Sequence, residues 1–319
     1  MENIKSVYQR VGQLNDIVIT SDEFMNAFKG IQRCAERSVA YNEPIGSMLL
    51  AKGGLGKTTL CHTILNQMPR FYKTEEYRQK TIVPAFYVEV PSPATVKSLA
   101  ITMLQKLGDA THLSGTTSYQ TNRLIYLLTE CETKLVFLDE FHHLFDRKPT
   151  STRLNITVGN WIKTLVNETG ISFCLVGLPE FADLIQFDSQ IARRFSYHYK
   201  LNPLTIGTTD SLGTIYAFLG EVARRASEIQ ISFSPLLDSH TLGIQLFIAT
   251  KGYHSYVMSL IRESIAIALE DGRDNVTKHD FSVAWQLGIT SFISDQKNNP
   301  FNMSLTTLYS HLQRVGNDN

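Results

Sequence analysis

Three groups of residues in this 319-residue chain could do chemistry. The first is Ala51-Lys52-Gly53-Gly54-Leu55-Gly56-Lys57-Thr58-Thr59, set between an apolar run (Met48-Leu49-Leu50) and a helical pattern from Thr58 to about Met68. Small residues let consecutive backbone N–H groups close around a phosphate, and the start of a helix adds a favourable dipole. In the pattern G-x-x-x-x-G-K-[ST] the lysine reaches the β- and γ-phosphates and the hydroxyl coordinates Mg²⁺. Lys57 and Thr58 take those places, so the segment reads as the phosphate-binding loop of an NTPase that uses ATP and Mg²⁺. Ala51 stands where the pattern has its first glycine. Alanine is small, and at the end of a strand it need not adopt a positive φ, so the loop is expected to tolerate it.

The second group is Leu135-Val136-Phe137-Leu138-Asp139-Glu140. Four apolar residues bury a strand and deliver two carboxylates at its C-terminal end, where α/β sheets bind ligands. Asp139 is expected to hold the Mg²⁺ shell, directly or through water, and Glu140 to polarise the attacking water. His142 and His143 follow, but adjacent histidines are poorly placed to share a metal on a helix face. Packing or hydrogen bonding near the site is expected of them instead. The third group is Gln190-Ile191-Ala192-Arg193-Arg194-Phe195. An arginine after the fourth strand can reach a neighbouring subunit's nucleotide and stabilise charge on the γ-phosphate. A plain surface arginine pair is the alternative, and spacing does not choose between Arg193 and Arg194.

The elements around these groups follow from periodicity and breakers. Residues 1–45 form a lead-in and a helix, with Thr20 and Glu23 as a capping box and Phe24, Ala27, Phe28, Ile31 and Ala35 on one face. Asn42-Glu43-Pro44 ends it. Over 46–205, strands at 85–90, 135–138, 171–176 and 197–202 join the strand before the glycine loop. Helices at 95–107 (capped by Gly108), 121–132 and 154–168 (stopped by Gly170) alternate with them. In the last, Trp161, Ile162, Leu165 and Val166 face inward. The charged stretch 70–80, the segment 109–120, and Arg147-Lys148-Pro149 with Arg153 read as loops. This alternation predicts an α/β fold, a five-stranded parallel sheet covered by helices on both faces. Beyond 206 the pattern is helical: Asp210–Ala226, 239–250, 253–270 and 278–287, the last opened by Thr277 and Asp280. Residues 206–290 therefore read as a small all-helical second domain, and the polar stretch 291–319 as a tail, partly disordered or partner-binding.

The net charge is zero, so no global field draws the chain to nucleic acid or membrane, and any DNA contact must come from a local patch. Lys97, Lys106, Thr116, Thr117 and Thr121, or Arg147, Lys148 and Arg153, are candidates. The four cysteines have no metal spacing and read as buried reduced thiols. No apolar run reaches membrane-spanning length, and the N-terminus has no signal-sequence pattern, so a cytoplasmic protein with no membrane partner is expected.

Ala51–Thr59, Leu135–Glu140 with Phe141-His142-His143-Leu144, Leu175-Val176-Gly177 and Ile191–Phe195 occur in an order that resembles the AAA+ ATPases of the TnsC/TniB group, bacterial regulators of DNA transposition. The resemblance runs over roughly residues 15–290, and the compact length is similar to the TnsC of CRISPR-associated transposons, of the type I-F kind. It implies an AAA+ P-loop NTPase fold with a helical lid, and an ATP-dependent homo-oligomer, ring or filament, around double-stranded DNA. That oligomer would link a TniQ-type adaptor with an RNA-guided effector to a TnsA/TnsB-type transposase. A helicase loader or another AAA+ signalling ATPase, or an ATP-switched scaffold with little hydrolysis, are the alternatives. Two departures favour slow turnover. Many AAA+ proteins carry a polar sensor after the fourth strand, where this chain has Gly177-Leu178-Pro179. Many begin the lid helix Gly-x-x-Arg, where Gly252-Tyr253-His254-Ser255 supplies serine.

Overall fold

A computed structural model describes residues 4–16, 21–75, 78–148, 151–154, 156–182, 189–207, 212–290, 292–294 and 297–317. The chain forms two compact units, Asp22–Leu201 and a second made from Met1–Ser21 with Asn202–Asn319. The first helix, α1 (Ile4–Gly12), belongs to the second unit. The first unit opens with α2 (Asp22–Tyr41), β1 (Ser47–Leu50) and α3 (Lys57–Gln67). A hairpin of β2 (Phe71–Glu75) and β3 (Arg78–Ile82) follows, then β4 (Ala85–Glu89), α4 (Val96–Leu107), α5 (Thr117–Glu130) and β5 (Leu135–Asp139). A second hairpin, β6 (Phe145–Lys148) with β7 (Ser151–Leu154), leads to α6 (Ile156–Thr169), β8 (Ser172–Gly177), a short helix Ser189–Arg194 and β9 (Tyr197–Lys200).

Five strands form one sheet in the order β4-β5-β8-β1-β9, every pair parallel. The central strands β1, β5 and β8 are buried at every position, which is why they read as near-continuous apolar runs. One face, with Met48, Leu50, Val88, Val136, Leu138, Phe173 and Leu175, packs on Leu99, Met103, Leu124, Leu128, Trp161 and Leu165 of α4, α5 and α6. The alternate residues Leu49, Phe137, Cys174 and Val176 point to the opposite face. Gly30 of α2 lies tight against edge strand β9, where a Cβ would stand 2.2 Å from the Tyr199 ring. Because all five strands run the same way, the ends of β1, β5 and β8 converge at one edge, where a crossover order such as this leaves room for a ligand.

Several local expectations are corrected. The charged 70–80 stretch is the β2–β3 hairpin rather than a loop; its charges pair outward, Lys73 with Glu132 at 2.8 Å and Arg78 with Glu75 at 2.9 Å. The basic stretch near 147–153 likewise contains the β6–β7 hairpin, although side chains from 146 to 155 lie outside the described residues. Helix α5 begins at Thr117, not 121, because the Thr116 hydroxyl accepts the Tyr119 N–H at 3.3 Å and caps it. Gly108, with φ 92°, caps α4 as its position suggests. The Thr20 cap of α2 and the Asp210 helix start fall outside the described residues.

In the second unit, helices Thr214–Glu228, His240–Thr250, His254–Glu270 and Lys278–Gln286 surround a core of Leu219, Val222, Leu246, Leu260 and Ile261. Asp280 and Thr277 close a capping box, and Arg273 binds the same carboxylate at 2.6 Å. Residues 1–45 are shared between the units. Val7, Val11 and Leu14 of the lead-in, at helical spacing, join this helical core, while α2 stays with the sheet. The unit is not purely helical: β10 (Ser232–Ser234) and β11 (Asn275–Thr277) pair in parallel. Nor is its end a loose tail where it is described. Phe301 is fully buried, its ring 5.5 Å from that of Phe281, and a helix Leu305–Asn317 buries Leu308 against Ile244 and Ile248. Phe301→Ala in the full chain is expected to cost about 3–5 kcal/mol, read as a lower urea midpoint for the helical unit. No change in that midpoint would show that Phe301 is dispensable to the core.

Candidate nucleotide site

The glycine loop leaves the sheet at the end of β1. The Ala51 N–H still bonds Gly177 O at 3.0 Å, so the alanine extends the pairing with β8 by one residue and is 1% exposed. Within the loop only Gly54 (φ 76°) and Gly56 (φ 90°) adopt the left-handed conformation; Ala51 does not. Gly56 caps α3, and a Cβ at Gly53 or Gly56 would meet no atom within 4 Å, so the space beside the loop is open. Lys57 folds back along it, its ammonium donating to Ala51 O at 2.8 Å and Lys52 O at 3.2 Å. The first N–H groups of α3 have no acceptor inside the helix and face the same space. Leu55 anchors the loop in the interior, whereas Lys52, Gly53, Gly54, Thr58 and Thr59 are exposed.

Asp139 ends β5 and is 4% exposed. A carboxylate at that depth requires donors, and two are supplied. The Glu140 N–H bonds Oδ1 at 2.7 Å, and the Tyr87 hydroxyl of β4 donates to Oδ2. Burial first, then the bond to Asp139, push the Tyr87 phenol well above its usual value. Glu140 is half-buried and left-handed (φ 54°), the cap of a tight turn over Phe141–Leu144. His142 Nδ1 stands 2.9 Å from Glu140 Oε2, and His143 Nδ1 lies 2.8 Å from Val90 O. Among the described residues no cluster of three or more His, Cys, Asp or Glu side chains could hold a metal, and the histidines serve the turn. Phe141 is fully buried against the end of β8, where a Cβ on Gly177 would stand 2.6 Å from its ring. That contact is why no larger, polar residue occupies position 177.

Arg193 and Arg194 lie elsewhere. Arg194 O accepts the Gly46 N–H at 2.8 Å, just before β1 begins. Both arginines precede β9 and flank the start of β1, whereas Lys57 and Thr58 follow its end. They stand at the opposite end of the parallel strands, roughly 13 Å away along a four-residue strand. Each guanidinium is 3.9 Å from Glu43; the Arg193 side chain is 83% exposed and that of Arg194 29%. Tyr87 is the site residue that motif reading misses. Its only trace in the sequence is a phenol on the alternate face of an apolar strand.

A family model described as bacterial TniB protein matches residues 18–202, more than half of the chain. The chain belongs to the TniB family. No curated protein matches the sequence. Among solved structures, this TniB-family chain is similar to Cdc6p from Pyrobaculum aerophilum, with a TM-score of 0.58 at 14% identity over 85% of this chain and 72% of that one. It is similar to the Aeropyrum pernix ORC1 protein in complex with DNA, with a TM-score of 0.55 at 15% identity over 81% of this chain and 64% of that one. The Aeropyrum pernix ORC2 protein, in ADPNP–ADP complexes, gives 0.54 at 15% identity over 82% of this chain and 67% of that one. The chain thus spans just under two thirds of the ORC1 structure's length. Sheet order, glycine loop and these neighbours together define an AAA+ P-loop NTPase fold.

The donor set fits a magnesium nucleotide. An open cradle at Gly53 and Gly56, the Lys57 ammonium and the start of α3 suit phosphate. The Thr58 hydroxyl and Asp139 carboxylate are the hard oxygen donors that Mg²⁺ prefers. In the TniB-family chain Ala51 has no positive φ to relieve. Ala51→Gly is therefore expected to leave the affinity for a fluorescent ATP analogue within about twofold, while lowering stability by about 0.5–1 kcal/mol. A large gain in affinity would show that the alanine constrains the loop.

Proposed function

We propose that this protein is an ATP-dependent regulator of DNA transposition, which assembles on double-stranded DNA and hands a target-selecting complex on to a transposase. Membership of the TniB family and the separation of Lys57 and Thr58 from Arg193 and Arg194 support this reading. A chain with its phosphate loop at one end of the sheet and its arginine pair at the other can complete a site by stacking on a copy of itself. In that assembly Lys57, the loop N–H groups and Thr58 would bind the nucleotide, Thr58 and Asp139 would hold the Mg²⁺, Asp139 directly or through water, and Glu140 would polarise the attacking water. Mg²⁺, when bound, would supply charge neutralisation for the phosphates. Arg193, the more exposed of the pair, reaches the neighbour's γ-phosphate. The partners implied by the resemblance are a TniQ-type adaptor with an RNA-guided effector and a TnsA/TnsB-type transposase, as in CRISPR-associated transposons.

DNA contact in this reading is local and made to the backbone, since the net charge is zero. Lys97 and Lys106 are exposed on α4. Thr116 and Thr121 are less available: Thr116 caps α5, and Thr121 accepts the Trp161 indole N–H at 3.0 Å. Ring or filament formation with an ATP analogue and duplex DNA, read by negative-stain imaging, tests the proposal. Monomers under every condition would overturn both assembly and the arginine in trans. Arg193→Ala is expected to lower turnover on the order of 10³-fold, with Arg194→Ala affecting stability more.

A second reading, a scaffold in which nucleotide licenses assembly and hydrolysis is slow, is favoured by Gly177-Leu178-Pro179 at the end of β8, where no polar sensor side chain is supplied and the Phe141 ring fills the space beside Gly177. Glu140→Gln separates the two. Under the first reading turnover falls at least about 10²-fold and ATP-loaded oligomers accumulate; under the second, assembly and the already low turnover barely change. A helicase loader would instead bind a replicative helicase and ignore a transposase.

A further inference from the structure

The proposed function asks the Glu140 carboxylate to polarise a water, and one side chain is already placed on that carboxylate. Among the described residues His142 alone meets it, with Nδ1 2.9 Å from Oε2. A carboxylate oxygen accepts, so the nitrogen facing it carries hydrogen. His142 is itself held. Its side chain is 15% exposed, and its ring lies edge-on to that of His143, centroids 4.4 Å and planes 64° apart. His143 is tied to the sheet in turn. Its Nδ1 donates to Val90 O at 2.8 Å, and the Val90 N–H bonds Asp139 O at 2.9 Å. The histidine pair therefore carries the rigidity of the β4–β5 edge across to a flexible side chain.

We propose that His142 is a positioning residue for Glu140, holding its carboxylate in one orientation beside the nucleotide site. The backbone alone does not achieve this. The Glu140 N–H is bonded to Asp139 Oδ1 at 2.7 Å, and its carbonyl accepts the His143 N–H at 2.9 Å. Beyond Cα, however, the glutamate keeps its own rotatable bonds, and the side chain is 38% exposed. A freely turning carboxylate must be ordered at the moment of reaction, whereas one already fixed is spared that entropy. With Oε2 against the imidazole, Oε1 is left to accept from a water. His143 does not share the role, because its Nδ1 is committed to Val90 O. The adjacent histidines thus divide two tasks, one anchoring the turn and the other the carboxylate. The inference rests on the reading of Glu140 as the group that activates water for ATP cleavage.

ATP cleavage is followed in single turnover with the full chain, Mg²⁺ and duplex DNA, alongside the affinity for a fluorescent ATP analogue. His142→Ala is expected to slow cleavage about tenfold, part of the roughly 10²-fold that a positioned base supplies. The analogue is expected to bind within about twofold of the unsubstituted chain, which also shows that the site remains folded. His142→Asn places an amide nitrogen at the branch where Nδ1 stood and is expected to restore the rate to within about threefold. In a Glu140→Gln background His142→Ala is expected to change the rate by less than about twofold, because no base is left to orient. An unchanged rate in His142→Ala, no recovery in His142→Asn, or an equal fall in the Glu140→Gln background would overturn the proposal. Loss of analogue binding in step with the rate would also overturn it, since that marks a merely structural role. An unsubstituted chain that binds the analogue yet never cleaves ATP would instead overturn the hydrolytic reading of Glu140 beneath it.

Discussion

A carboxylate 4% exposed at the end of a buried strand is the constraint around which this sheet is arranged. Taking Asp139 out of water without donors would cost several kcal/mol or force it to take up a proton. The donors come from both directions along the chain. The next residue supplies its N–H, which holds Glu140 in a left-handed conformation, and β4 supplies a phenol, which requires β4 to lie beside β5 in this register. Once β4 is fixed, the chain must cross from β1 over the sheet to its far edge and return by β5 and β8. The crossover that leaves room beside the glycine loop and the hydrogen bonds that sustain a buried carboxylate are thus parts of one solution.

Close backbone approaches set the other end. Gly46 admits the Phe195 ring, where a Cβ would stand 2.6 Å away, and its N–H bonds Arg194 O. Ile191 and Phe195, 4% and 2% exposed, pin the short helix that carries the arginines, so the Arg193 side chain projects outward from a rigid base. A parallel strand has two chemically different ends. With the phosphate loop at one and the arginines at the other, a single chain cannot fold Arg193 into its own site without dismantling β1.

The sequence discloses those features that rest on residue type at fixed spacing. The strands of the sheet, the Gly56-Lys57-Thr58 turn and the Thr277–Asp280 capping box belong to this class, because apolar runs, glycine conformations and capping hydroxyls act locally. What stayed hidden depends on long-range pairing. The β2–β3 hairpin reads as a solvated loop because its charges do face water, and only cross-strand register makes it a strand pair. Leu308 lies on a helical stripe with Leu305, Tyr309 and Leu312 that the polar composition around it obscures, and Phe301 is an isolated apolar residue whose burial is visible only once the helical core exists to receive it. Tyr87 is the sharpest case: nothing in Ala85–Glu89 separates a phenol facing a carboxylate from one facing solvent until β5 is placed beside it.

The turn after β5 bears on whether the site is built for turnover or for sensing. Glu140 holds a positive φ, a conformation that costs a non-glycine residue of order 1–3 kcal/mol and persists only where the surroundings over-determine it. Here they do: its N–H is committed to Asp139, Phe141 is locked against Gly177, and His143 lies within hydrogen-bonding distance of Val90 O. A carboxylate on so constrained a turn has a well-defined orientation, which suits activation of a single water. The same Phe141 ring leaves no room for a side chain at Gly177, the last residue of β8. On the proposed reading, information about the γ-phosphate leaves the site by another route, and the arginine pair at the opposite end of the sheet is the candidate for reading it from a neighbouring chain.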